Sequence, residues 1–139
     1  MIEMRDLVLF SHLILGVALV VLSIEILLEL KNKSKWAKWL SVLTAALSWA
    51  ILLPAGKLYL TFYPATKTLI KAGTRPWAHS IFMETKEHWG LFLPVIFTVG
   101  AWLVLRNEWE KSRKWWILGL VVSLLIGIMG SIVTSGART

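Results

Sequence analysis

Four long apolar blocks, cut apart by short polar stretches, limit this chain's fold more than any other feature of its sequence. A helix needs about 20 apolar residues to cross a hydrocarbon core of roughly 30 Å, and each block is about that length. With 57% hydrophobic residues in a chain of 139, a water-soluble domain would have too little interior to hide them. The reading is an all-α, integral membrane four-helix bundle in a single domain, 1–139, with spans at about 7–30, 36–53, 88–105 and 115–134. The N-terminal residues lack a basic leader region and a small-residue cleavage site, so the first block is read as a retained span.

The two short connections are densely basic. Lys31, Lys33, Lys35 and Lys38 lie between spans one and two, and Arg106, Lys111, Arg113 and Lys114 between spans three and four. The opposite side carries Arg5, Lys57, Lys67, Lys71, Arg75, Lys86 and Arg138, spread over two tails and a long loop. Counted over short loops, the positive-inside rule puts both termini of this multi-pass cell-membrane protein outside. The net charge of +7 is therefore a topology signal rather than a nucleic-acid surface. Trp36, Trp39, Trp102, Trp109, Trp115 and Trp116 fall at the inner interface, and Trp77 and Trp89 near the outer one, as an aromatic belt.

The outer connection, 54–87, is too long and too patterned for a plain loop. Pro54-Ala55-Gly56 is a helix-ending combination that closes span two. Residues 64–71 read as a short amphipathic helix lying at the interface, and Gly73 ends it. Thr74 then offers an N-cap and Pro76 a first turn, so that span three has an extended start near 76. Pro94 is expected to kink it within the membrane.

Ionisable residues inside spans are functional candidates, because burying them is costly. Here they are His12, Glu25 and His88, with His79, Glu84 and Glu87 just outside. All three histidines fall on the outer side. His12 lies 18 residues before Leu30 and His88 18 residues before Arg106, which at 1.5 Å per residue puts each about 27 Å from the inner boundary. Two imidazoles at one level on parallel spans are what a haem b iron needs as axial ligands. Gly16, one turn deeper than His12, and Gly130 on span four would leave room for the porphyrin. Arg75 and Lys57, with Lys67, Lys86 and Arg138, could neutralise its propionates. His79 is the alternative to His88, pointing about 180° away from it on a continuous helix; it could also hold a second metal, with Met83, or a propionate. Glu84, four residues before His88, could orient its ring. The chain has no cysteine, which excludes disulfides, iron–sulfur clusters and thiolate metal sites.

These features, Ser11-His12, Glu87-His88-Trp89 and Gly127-Ile128-Met129-Gly130-Ser131, resemble those of small four-helix b-type membrane cytochromes. They also resemble a family of short, functionally uncharacterised four-span proteins with histidines in spans one and three and a glycine-rich last helix. That family's His-Pro pairing is absent, since Leu13 follows His12. The resemblance implies one haem near the outer face and electron exchange with a quinone or an outer-side redox protein. An oxidoreductase activity would follow from it, and a homo-oligomer if a second copy supplies a ligand. The rival expectations are a small transporter or accessory subunit without a redox cofactor, in which Glu25 is one candidate carboxylate, and a metal site from His79, Glu84, Glu87 and His88.

Overall fold

The structure, a computed structural model, describes residues 1–138. Among them it is helical and without strands, arranged as four rods in a bundle. Rod one is α1 (Met4–Glu29), prolonged by a 3-10 turn over Leu30–Asn32. Rod two runs through α2 (Lys35–Ala50), α3 (Leu52–Lys57), a π-helical segment (Leu58–Phe62) and α4 (Tyr63–Ala72). Rod three opens with a second π-helical segment (Ala78–Met83) and continues as α5 (Glu84–Leu105). Rod four is α6 (Trp109–Gly136). All four are long and apolar enough to cross a bilayer.

Local chemistry sets the two short turns at the end of the bundle away from both termini, the inner end of the expected topology. Lys33 takes a left-handed φ of 50°, and Ser34 then caps α2, its hydroxyl oxygen accepting from the Ala37 amide at 3.2 Å. The same hydroxyl donates to the Glu29 carboxylate at 2.7 Å, tying the end of rod one to the start of rod two. At the second turn Asn107 supplies the left-handed residue, with φ 61°. Its amide bonds Val104 O and the Glu108 amide bonds Leu103 O, both at 2.9 Å, which together satisfy the last carbonyls of α5.

The second rod departs from the sequence expectation. Helix does not end at Pro54-Ala55-Gly56; it pauses for one residue at Ile51 and restarts. Pro54 therefore falls in the first turn of α3, where amides lack intrahelical partners anyway and a missing N–H costs little. The short helix expected at 64–71 is α4, continuous with rod two and stopped at Gly73. Rod three starts beside Pro76, but no Thr74 side-chain cap forms. Pro94 sits buried within an unbroken α5. The Thr98 hydroxyl, which donates to Pro94 O at 2.6 Å, also accepts from Trp49 Nε1 at 2.9 Å, linking α5 to α2.

The rods are ordered α1, α2, α5, α6 around the bundle, so α1 and α5 lie on a diagonal. The most extensive contact is between α5 and α6. Phe97 and Trp116 are fully buried and stack with ring centroids 5.2 Å apart. Gly119 lies directly against the Phe97 ring, and a Cβ on Gly100 would meet Trp116 at 3.1 Å. Trp116 thus belongs to the core and not to the aromatic belt. Trp36, Trp39 and Trp102 are exposed, and the Arg106 guanidinium lies over the Trp102 ring at 5.1 Å. Near the outer end, a Cβ on Gly136 would come within 2.9 Å of Ala78 Cβ, so α6 also closes on the start of rod three.

Gly119→Ala drives a methyl group into Phe97 and should destabilise the detergent-solubilised protein by about 1–3 kcal/mol. Gly127→Ala, where a Cβ meets nothing within 4 Å, should be neutral or slightly stabilising by helix propensity; thermal unfolding of both checks the pair. At the inner turn, the hydrogen bond from Lys111 Nζ at 2.6 Å, with help from Arg106, holds the Glu108 carboxyl below the usual carboxylate range. Its contribution is present above the unfolded pKa and is lost as pH falls through the folded one. Lys111→Ala should move the Glu108 titration upward, read by carboxyl NMR.

Candidate functional site

The outer half of the bundle is where regular helix gives way. The two π-helical segments, Leu58–Phe62 and Ala78–Met83, each widen a turn, a feature that recurs at functional sites. Between them they gather polar side chains from rods two and three. His79 is 4% exposed and Tyr63 8%. The Tyr63 hydroxyl and His79 Nδ1 are 2.8 Å apart, and the Tyr59 ring stacks on Tyr63 at 5.6 Å. A hydroxyl that donates to Nδ1 leaves the Nε2–H of a neutral ring for Glu84, whose Oε1 stands 3.8 Å away. The Tyr59 phenol lies beside the Glu87 carboxyl.

Deeper in the bundle, Lys86 turns its side chain inward. A Cβ on Gly130 would lie 3.5 Å from Lys86 Nζ and 3.6 Å from Cε, so the missing side chain of Gly130 is the space Lys86 occupies. His12, half-buried on α1, is close enough for the Lys86 charge to act on its imidazole. Its Nδ1 is shielded from water and has no hydrogen-bond partner, and Glu87 Oε1 is in the same condition. Three elements therefore contribute: α1 gives the imidazole, α5 the ammonium and carboxyl, and α6 a stretch of bare backbone.

The remaining sequence candidates are placed elsewhere. His88 is exposed on the flank of α5, its Nδ1 2.7 Å from Glu84 O. A carbonyl only accepts, so Nδ1 carries the proton and, in the neutral ring, Nε2 keeps a lone pair. The backbone of Glu84, rather than its carboxylate, thus orients His88, while that carboxylate faces His79. Gly16 packs towards α2, where a Cβ would meet Ile51 Cδ1 at 3.9 Å. Arg75 is exposed and donates from Nη1 to Ser135 Oγ at 3.2 Å; Lys57 and Glu25 are exposed. Among the described residues no group of three or more His, Asp or Glu side chains is placed to hold a metal ion, so His79, Glu84, Glu87 and His88 are not gathered as one ligand set.

Sequence reasoning missed Tyr63, and it took Lys86 for an outer-side cation rather than one turned towards the bundle. The signal was present in the register: Lys86 precedes the buried Leu93 by seven residues and Phe97 by eleven, which puts it on the core face of α5. It was masked because the span was drawn from 88 onward. Tyr63→Phe should leave the buried His79 Nδ1 without a partner and cost about 1–3 kcal/mol, with a change of imidazole tautomer visible in ¹⁵N NMR. Comparison with protein-family models, with curated proteins and with solved structures gives no match. The function of the chain is therefore read from the chemistry of these side chains.

Proposed function

We propose that this chain is a four-span membrane protein, both termini outside, that works without a redox cofactor as a small transporter or as an accessory subunit of one. In this reading the half-buried group of Lys86, Glu87 and His12 takes up and releases protons in the outer half of the bundle. The observation that carries it is Lys86, whose ammonium lies against Gly130 inside a helical bundle with four bilayer-length rods. An ionisable side chain turned inward at that cost is a functional group by default. The basic inner turns support the orientation, and the exposed apolar flanks of the rods fit contact with lipid. Reconstitution into vesicles with an internal pH dye tests the reading. Under a potassium-diffusion potential the wild type should conduct protons, and Lys86→Met and Glu87→Gln should each slow the flux about tenfold, the scale of one charge-assisted hydrogen bond. Wild-type vesicles no faster than protein-free ones would overturn it.

A second reading, a membrane b-type cytochrome with one haem near the outer face and a quinone or outer redox protein as partner, draws on one observation. The bond from His88 Nδ1 to Glu84 O leaves Nε2 free, as in oriented axial histidines. As placed, His12 and His88 do not fit a shared haem, because His88 faces outward and Lys86 takes the room over Gly130. A visible spectrum before and after dithionite decides: a colourless preparation that takes up no added haem removes this reading, whereas an α-band lost in His88→Ala would restore it.

A further inference from the structure

We infer that the two short turns away from the termini, together with the starts of α2 and α6, form one surface that binds the phosphates of anionic phospholipids. The inference stands apart from the transporter reading and does not depend on it.

Positive charge is concentrated here beyond what the turns themselves neutralise. Glu29 accepts from the Ser34 hydroxyl at 2.7 Å, and Glu108 is held between Arg106 at 3.2 Å and Lys111 at 2.6 Å. Lys31, Lys33, Lys35, Arg113 and Lys114 are exposed, and none has an ion-pair partner among the described residues. Their placement adds to the excess. A helix N-terminus carries partial positive charge and favours carboxylates, yet the first turn of α2 has Lys35 and Lys38 and no acidic residue. Arg113 and Lys114 follow directly on the first turn of α6, whose own carboxylate is Glu110. An anion settling on this surface relieves the repulsion at both helix ends. The two starts also meet: the Lys38 ammonium lies 5.8 Å from the centre of the Trp109 ring, so the basic segments face one partner rather than two.

Depth selects a lipid as that partner. Between Asn32 and Lys35, and between Leu105 and Trp109, the connections are so short that their cations stay close to the apolar rods. Trp36, Trp39 and Trp102 are exposed at the same end, and such rings settle at headgroup level. A soluble polyanion would have to reach down to that level, whereas a phospholipid phosphate already lies there. Val42, four residues beyond Lys38, and Leu118, four beyond Lys114, are exposed and apolar. Each basic start thus leads along one helix face onto a flank that suits an acyl chain.

Native mass spectrometry of the delipidated protein in detergent, titrated with phosphatidylglycerol or with phosphatidylcholine of the same chains, tests the surface without reference to orientation. Wild type should hold the anionic lipid about tenfold more tightly or better. Lys31→Gln, Lys33→Gln and Lys35→Gln should each lower that constant about fivefold, the scale of one cation near a phosphate surface. All three together should remove the preference, and arginine at the same positions should keep it. Arg113→Gln with Lys114→Gln tests the second turn in the same way; circular dichroism shows that each variant is folded. Lys57→Gln, Lys67→Gln and Lys71→Gln combined remove as much charge at the opposite end and should leave the preference intact. Equal retention of the two lipids by wild type overturns the inference, and so does a preference lost equally from either end. Displacement of the lipid by glycerol phosphate or a short oligonucleotide at equal concentration also overturns it, because the surface then reads a soluble anion.

Discussion

Packing of α5 against α6 sets the register of everything else. Lipid tails are as apolar as leucine, so helices in a bilayer gain little from hiding hydrocarbon and associate through close surface contact. Here the contact is the Phe97–Trp116 stack, seated between Gly119 on one side and Gly100 on the other. Once those rings fix which face of α5 looks inward, the residues one to three turns towards the outer end are committed as well. Lys86 is on that face, and Gly130 is where α6 makes room for it. The same interface that holds the bundle together thus turns a charged side chain into its interior.

The outer half shows how a helical bundle accommodates polar groups. Regular α-helix would carry the 58–62 and 78–83 stretches past one another with fixed spacing, but each adopts the wider π-helical turn. Tyr63 and His79 then meet at 2.8 Å, both nearly excluded from water. A buried imidazole with a phenol partner is satisfied, whereas His12 and Glu87 each retain an unpaired atom. The contrast separates a structural pair from a group with spare hydrogen-bonding capacity.

The sequence conveys the four rods because length and apolarity are summed over many residues and tolerate local error. It conveys less of where rods end, since Pro54 and Gly56 are read as breakers unless the restart at Ile51 is known. Trp116 looks like its neighbours in the aromatic belt, and only the glycine across from it, Gly100 on α5, reveals that it is core. The histidines are legible as lying towards the end of the bundle that holds both termini, but which way each ring faces depends on helix rotation. His79 is inside and His88 outside, and depth along the chain carries no information about that.

Rod two, at 38 residues, would be about 57 Å long if straight and α-helical, against a hydrocarbon core of roughly 30 Å. It is stitched to its neighbours, through Trp49 to α5 and through Tyr63 to His79, and so cannot slide on its own. A bilayer of different thickness is then met by the whole bundle tilting or by the lipid deforming around it. The π-helical turns, Leu58–Phe62 and Ala78–Met83, lie at the end of the bundle that would meet the outer headgroups in the proposed orientation. In the proposed membrane setting, bilayer thickness would thereby become a mechanical input to the very stretch of backbone that positions the polar side chains.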